Sequence, residues 1–424
     1  MRALVMLLLA VPAFGVKVQV EGGAVVELPL ERYVAGVLAG ESSMFRSDAA
    51  LRAMAVAART YAVRMRGRHT AEGYDFCSST HCQRVDLDGI TPHLESIAAA
   101  TEGEMLWFEG KPALTLYTRD CGGRTEDGGE PYLQSRADPY GTPETWQWDG
   151  DPVKIAKALA ASGLRTPASF DRITIVNRTA SGRAMTLLLG GSVRISAGSF
   201  RFAIGRELGW NTVRSDLYEV QSGGGHILFQ GRGAGHGVGL CQRGAEQMGA
   251  AGKSYRDILA FYYPGTAVGV TARGFAWQRL SGEGLTLWTT HPDRDGAVLA
   301  VAVHEARIAT ERTGWPMPAG VEIRVYPDLD SYRNATGESG LVAAYTQGRR
   351  IHMQPAAAVR GTIRHELYHV LVESQAAPGL PLWFREEVVK FLAGQPNSVA
   401  HYGEATLLDW VKKSSASVPA TKSK

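Results

Sequence analysis

A chain of 424 residues is longer than one ordinary hydrophobic core organises, so two or three domains are expected. Its 45% hydrophobic and 21% charged residues are ordinary for a globular protein. A net charge of +3, with no basic run interleaved with aromatics, excludes a dedicated nucleic-acid binder, while the mild positive balance suits an anionic polymer.

The N-terminus, MRALVMLLLAVPAFGVKVQ, places Arg2 ahead of the apolar run Leu4 to Val11, with the small residues Ala13 and Gly15 just before Val16. This pattern predicts a signal peptide over residues 1–15 and an exported protein of the periplasm or cell envelope. A membrane span needs ~20 apolar residues, and no later segment qualifies either. The competing reading of the same stretch is a buried first strand. Val16 to Leu28 alternates apolar and polar residues about Gly22-Gly23, a hairpin signature. A helix is predicted over Leu30 to Gly40, with Tyr33, Val34, Val37 and Leu38 on one face. Ser47 and Asp48 can cap a second helix from Ala49 to Met65, whose stripe is Leu51, Met54, Ala55, Ala58, Ala62 and Met65. Glu41 then falls in the connection between the two, where a carboxylate can face a cleft.

Residues 85–230 read as mainly β, with strands at Glu104 to Phe108, Ala113 to Tyr117 and Arg172 to Asn177, and one interposed helix at Pro152 to Gly163. Gly223-Gly224-Gly225 turns into a strand at His226 to Gln230, and helices follow at Cys241 to Met248 and Tyr255 to Tyr263, ended by Pro264-Gly265. Glycines at 269, 274, 282 and 284 mark a boundary. Beyond it the order is a strand at Leu285 to Thr289, a helix at Ala297 to Arg312 and strands at Val321 to Tyr326 and Ile351 to Met353. Helices at Val359 to Ser374 and Leu382 to Leu392 complete it. The polar, basic tail from Lys412 has no apolar period and is expected to be disordered. The expected organisation is a signal peptide (1–15), a mixed helix and β-rich domain (16–268), a linker (269–284), a smaller α+β domain (285–411) and the tail (412–424). The fold class is α+β with two domains.

Several segments together carry a resemblance. YVAGVLAGE ending at Glu41, Arg59-Thr60-Tyr61 within AVAARTYAVR, Cys121-Gly122-Gly123-Arg124-Thr125-Glu126 and His236-Gly237-Val238-Gly239 span about residues 25–268. This stretch resembles the stage II sporulation protein D family of cell-wall lytic transglycosylases and amidase enhancers. The resemblance implies a domain acting on peptide-stripped peptidoglycan glycan, with Glu41 as the proton donor. A lytic transglycosylase can work with one carboxylate, because the sugar's own 6-hydroxyl replaces the water that a second carboxylate would activate. Arg59, Tyr61, Glu126 and His236 are the expected substrate contacts, with Arg59 and Tyr61 alternatively fixing Glu41, and a cell-wall amidase is the expected protein partner. The family's Met-Pro after the glutamate is Ser42-Ser43 here, which alters the local turn and keeps the acid.

Cys77, His81 and Cys82 combine thiols and an imidazole, a donor set that favours structural zinc, and the resemblance implies the same. His69 or Cys121 can complete four ligands. The alternative is a Cys77–Cys82 disulfide with a second bridge, Cys121–Cys241, in keeping with an oxidising compartment.

The last motif is His365-Glu366-Leu367-Tyr368-His369. Residues four apart share a helix face, so His365 and His369 can hold one Zn2+ while Glu366 serves as general base toward an attacking water. Leu382-Trp383-Phe384-Arg385-Glu386-Glu387 resembles the W-x-x-E-G element of gluzincin-type metallopeptidases and implies Glu386 as third ligand. Glu387 stands where that family has glycine, which can seat the second helix differently.

Overall fold

The computed structural model describes residues 15–413, apart from 168, 273–275, 337, 339–340 and 356–359. Most of the expected signal peptide and tail therefore lies outside the described residues. The chain divides into two compact units, one of residues 17–26 and 31–268, the other of 1–16, 27–30 and 269–424. Helices and strands are mixed in both.

The described chain opens on the hairpin of β1 (Val16–Gln19) and β2 (Val25–Leu28), turned by Gly22 and Gly23 with φ of 88° at each. Helix α1 (Leu30–Glu41) buries Tyr33, Val34, Val37 and Leu38 as its periodicity requires, and Glu41 is its last residue rather than part of the connection. Helix α2 (Asp48–Arg64) is capped by Ser47, whose hydroxyl accepts from the Ala50 N–H. It is buried nearly all round instead of along one stripe, because its alanines let other elements approach from several sides. Strand β3 (Phe76–Cys77) runs parallel to β1. Next comes α3 (Pro92–Ala100), unforeseen although Thr91 caps it and Pro92 opens it.

Strands β4 (Met105–Phe108) and β5 (Lys111–Pro112) form a hairpin. The strand expected over 113–117 shrinks to β6 (Tyr117–Thr118), whose partner at Leu240–Cys241 is far along the chain and invisible to local pattern. Strand β7 (Thr145–Gly150) precedes α4 (Pro152–Ala161), capped by Asp151. Then β8 (Ile173–Arg178), β9 (Ala184–Leu189) and β10 (Val193–Ser196) make an antiparallel sheet, covered by the second unforeseen helix, α5 (Ala197–Leu208). Strand β12 (His226–Arg232) lies between β11 (Tyr218–Gly223) and β7 and pairs with both. Phe200, Phe229, Leu187 and Ile227 sit at the centre of the core these elements share. Strand β13 (Leu240–Cys241) pairs with β6, and α6 (Gln242–Ala250), α7 (Tyr255–Tyr262) and β14 (Ala267–Gly269) complete the run.

In the second unit β15 (Gln278–Gly282), expected within the linker, pairs with β16 (Leu285–Thr289). Helix α8 (Pro292–Thr313) crosses over to β17 (Val321–Val325), parallel to β16. Helix α9 (Leu329–Thr336), the edge strand β18 (Ala344–Gln347) and β19 (Arg350–Met353) follow, giving a sheet of order β15-β16-β17-β19-β18. Helices α10 (Arg360–Gln375), α11 (Leu382–Ala393) and α12 (Glu404–Lys412) end the described chain. Helix α10 is clamped on two faces. Ile363, Leu367 and Val370 join the core that the sheet strands share with α8, while Tyr368, Leu371 and Val372 pack with Phe384, Val388 and Leu407. Glu305 of α8, fully buried, accepts from Arg360 and from Arg364 at 2.7 Å, fixing the start of α10. Among the described residues no helix is long and apolar enough to cross a membrane.

Candidate active site and metal centres

Glu41 is positioned by glycines. A side chain at Gly40 would collide with the Arg84 carbonyl, and one at Gly36 with Val85, so the end of α1 lies directly on the segment around Arg84. The Arg84 N–H donates to Glu41 Oε1 at 2.9 Å, and the Gln242 side chain donates to the Glu41 carbonyl at 3.2 Å. Burial raises the carboxyl's pKa above its ordinary value, and the Arg84 N–H and charge offset only part of that rise. This is the environment of an acid that keeps its proton.

Tyr117, which the sequence did not single out, lies beside Glu41, Tyr33 and Gln83. Gln83 in turn accepts from the Tyr33 hydroxyl at 2.9 Å. The segment carrying Tyr117 is lined by the loop that carries His236. Any Cβ at Gly239 would strike the Leu116 carbonyl, and one at Gly237, where φ is 83°, would strike the Arg183 guanidinium. His236 Nδ1 accepts from the Val238 N–H at 3.1 Å, leaving the other ring nitrogen to donate toward the Tyr117 carbonyl. The His236 ring is solvent-accessible yet deeply surrounded by protein. That surrounding protein, with Arg201 and Arg183 nearby, pushes its pKa down to about 4. At neutral pH the ring is therefore an uncharged hydrogen-bonding group. Glu41, Tyr117 and His236 thus form one neighbourhood.

The other expected contacts are placed differently. Arg59 is fully buried: it pairs with Glu31 at 2.5 and 2.8 Å and donates to the Ala98 and Glu104 carbonyls at 3.1 Å. It cannot touch a sugar, and no bond joins it to Glu41. Its group instead ties α1 to α2 and to the turn after α3. Removing one partner of such a buried pair leaves an uncompensated charge. The Arg59→Leu variant is expected to lose ~3–5 kcal/mol of stability by urea denaturation. A loss below ~1 kcal/mol would mean the pair behaves as a surface bridge. Tyr61 is also buried, its hydroxyl accepting from Arg68 at 2.7 Å, so it supports the neighbouring cysteine cluster rather than a saccharide. The Glu126 carboxylate accepts from Thr179 and Ser181 at 2.6 Å each, and its N–H donates to the Gly237 carbonyl at 2.9 Å. Both hydroxyls reach Oε2 while the Asp127 N–H donates to Oε1 at 2.9 Å, so Glu126 is engaged in bracing the His236 loop.

The cysteine cluster converges as four donors: His69 Nε2 lies 3.3 Å from Cys82 Sγ, and His81 Nδ1 lies 3.7 Å from both Cys77 and Cys82. All four ligand atoms lie within 4.8 Å of one another. His69 completes the set; Cys121 does not, being buried with Cys241 elsewhere. Both cluster thiols are free. Two sulfurs and two imidazole nitrogens at these separations fit a tetrahedral zinc. Glu72, 3.7 Å from His69 Nδ1, is placed to orient that ring.

The histidines of α10 also converge. His365 Nε2 lies 3.1 Å from His369 Nε2, which lies 3.2 Å from Glu386 Oε2. The imidazole beside it holds the Glu386 carboxyl down at about 2, and burial, with His369 second, keeps His365 below its usual value. Two imidazoles and a carboxylate are a donor set that fits a divalent zinc with a position left open. Glu366 is buried, accepts from Thr346 of β18 at 2.6 Å, and has its pKa raised by that burial. Glu387 is buried and accepts from the Ser398 N–H at 2.6 Å, while its neighbour Glu386 reaches His369.

Residues 19–108 match the family model SpoIID, described as Stage II sporulation protein. A Stage II sporulation protein D from Bacillus amyloliquefaciens is 29% identical over 272 residues, covering 58% of this chain and 75% of that protein. The protein of the same description from Bacillus subtilis (strain 168) is 27% identical over 273 residues, covering 58% and 76%. An amidase enhancer from Bacillus subtilis (strain 168) is 25% identical over 285 residues, covering 55% of this chain and 40% of that protein. The chain therefore carries a SpoIID domain in its N-terminal part.

Proposed function

We propose that this is an exported cell-envelope protein whose first unit is a peptidoglycan lytic transglycosylase. The observation that carries the reading is Glu41, a carboxyl raised by burial beside Tyr117 and the neutral His236. In the reaction, Glu41 gives its proton to the oxygen leaving the MurNAc anomeric carbon as the MurNAc-β-1,4-GlcNAc bond breaks. The 6-hydroxyl of the same MurNAc closes on that carbon, and the now ionised Glu41 takes the hydroxyl proton. The product is a 1,6-anhydroMurNAc end, and the acid is regenerated without water. The test is mass spectrometry of peptide-free glycan strands incubated with the zinc-loaded protein, with anhydro-muramyl products expected. Their absence with folded protein would favour the second reading, a non-catalytic glycan-binding enhancer of a cell-wall amidase. The similarity to an amidase enhancer is what supports that alternative.

The second unit is proposed to be a zinc metallopeptidase-like domain, with His365, His369 and Glu386 as ligands. Zinc bound there supplies Lewis acidity that polarises a scissile carbonyl and acidifies water. Glu366 would act as general base toward an attacking water and pass the proton to the leaving amine, with the Thr346 hydroxyl donating to its carboxylate at 2.6 Å. In a second arrangement the first unit only anchors this domain to the wall. The Cys77, His81, Cys82 and His69 cluster is proposed to hold a structural zinc. Metal analysis of the purified protein is expected to find one zinc lost on His369→Ala and a different one on His69→Ala. Unchanged content in either variant would remove that site.

A further inference from the structure

The four cysteines fall into two chemically different pairs. Cys77 and Cys82 are half-exposed and accompanied by two imidazoles, as a metal site requires. Cys121 and Cys241 are each 1% exposed, and among the described residues no imidazole joins them in a metal-sized cluster. The Cys121 N–H donates to Cys241 Sγ at 3.2 Å, and the two sulfurs lie within 4.8 Å of each other. The nearest carboxylates are already committed. Asp120 accepts from the Gly122 and Glu144 N–H groups at 2.8 Å and from Arg243 at 2.9 Å. Asp138 accepts from the Tyr262 hydroxyl at 2.8 Å, the Tyr140 N–H at 3.0 Å and the Cys121 thiol at 3.2 Å. If the Cys121 proton leaves, Asp138 keeps its other two donors.

We propose that Cys121 and Cys241 form a structural disulfide, while Cys77 and Cys82 remain thiolates for metal. The reaction is exchange with a disulfide oxidant of the glutathione class. One thiolate attacks the oxidant, releasing one thiol and leaving a mixed disulfide; the second cysteine displaces the other thiol. The pair loses two electrons and two protons, which the oxidant gains as its two thiols. The bond forms during folding, before both sulfurs are buried, and burial then shields it from reductant. It ties the segment after Tyr117 to the one after His236, since Cys241 pairs with Thr118 in the β6–β13 ladder. A covalent link across so long a loop restricts the unfolded chain strongly.

The test uses the full-length protein refolded in a glutathione redox buffer. It is denatured without reductant but with a zinc chelator, alkylated, digested and mapped by mass spectrometry. A peptide pair joined through Cys121 and Cys241 is expected, with alkyl groups on Cys77 and Cys82; added reductant leaves all four alkylated. Alkylation of Cys121 or Cys241 without reductant, or a link from either to Cys77 or Cys82, overturns the proposal. At fixed zinc, reduction is also expected to lower Tm by several degrees in the wild type and not in the Cys121→Ser/Cys241→Ser variant. A mapped bond whose reduction leaves Tm unchanged would overturn its structural role.

Discussion

Replacing Glu41 with Gln is expected to reduce formation of anhydro-muramyl products from peptide-free glycan by about 10²–10⁴-fold, the range that positioned proton transfer supplies. The amide keeps an oxygen to accept the Arg84 N–H, so the end of α1 stays in place and only the transferable proton is lost. The pH dependence has a definite sign. Glu41 must be protonated to act, and burial raises its pKa, so activity falls as pH rises through that raised value. Stability supplies a control of the same origin. A carboxyl whose folded pKa is raised contributes stability below its unfolded pKa, and that contribution is lost as pH rises through the folded value. The Gln variant is therefore expected to melt no lower than wild type at neutral pH, with any advantage disappearing in acid. Lost activity with unchanged or raised Tm assigns the acid; retained activity assigns it elsewhere.

The features legible in the sequence were those written in local periodicity. Tyr33, Val34, Val37 and Leu38 recur at helical spacing and all are buried along α1. His365 and His369 are four apart, so a helix alone brings their nitrogens together. The illegible features depend on chain distant in sequence. The choice between His69 and Cys121 as fourth donor needed the folded chain, which sets His69 Nε2 3.3 Å from Cys82 Sγ and buries Cys121 with Cys241. Tyr117 matters only because β13 pairs with it and Glu41 lies beside it. The sequence reads Arg59 as a substrate contact or a brace for Glu41, whereas its burial depends on Glu31 and the Ala98 and Glu104 carbonyls. Strand β18 is four residues long and polar, but it supplies the hydroxyl that holds Glu366. The burial of Glu387 likewise rests on a partner outside its helix, the Ser398 N–H eleven residues on.

With zinc loaded, the Glu366→Gln variant is expected to retain metal while losing chelator-sensitive peptide cleavage by about 10²–10⁴-fold. The argument separates two roles that one helix combines. His365, His369 and Glu386 converge without any atom of Glu366, so metal content should survive the change. The Glu366 carboxylate instead turns toward Thr346, whose hydroxyl donates to Oε2. An amide at that position can still accept this bond through its oxygen but cannot take a proton from water. The fold should hold too, because α10 is fixed by Glu305 at its start and by apolar contacts on two faces. The contrast is His369→Ala, which removes a ligand and should lose metal and cleavage together. The measurement pairs zinc content with cleavage of a fluorogenic peptide library, using Glu41→Gln as a further control that leaves cleavage intact. If the zinc-loaded wild type cuts nothing in the library and chelation changes nothing, the peptidase reading fails while the ligand assignment stands on metal content alone. If Glu366→Gln cleaves as well as wild type, the base lies elsewhere and the clasp with Thr346 is structural.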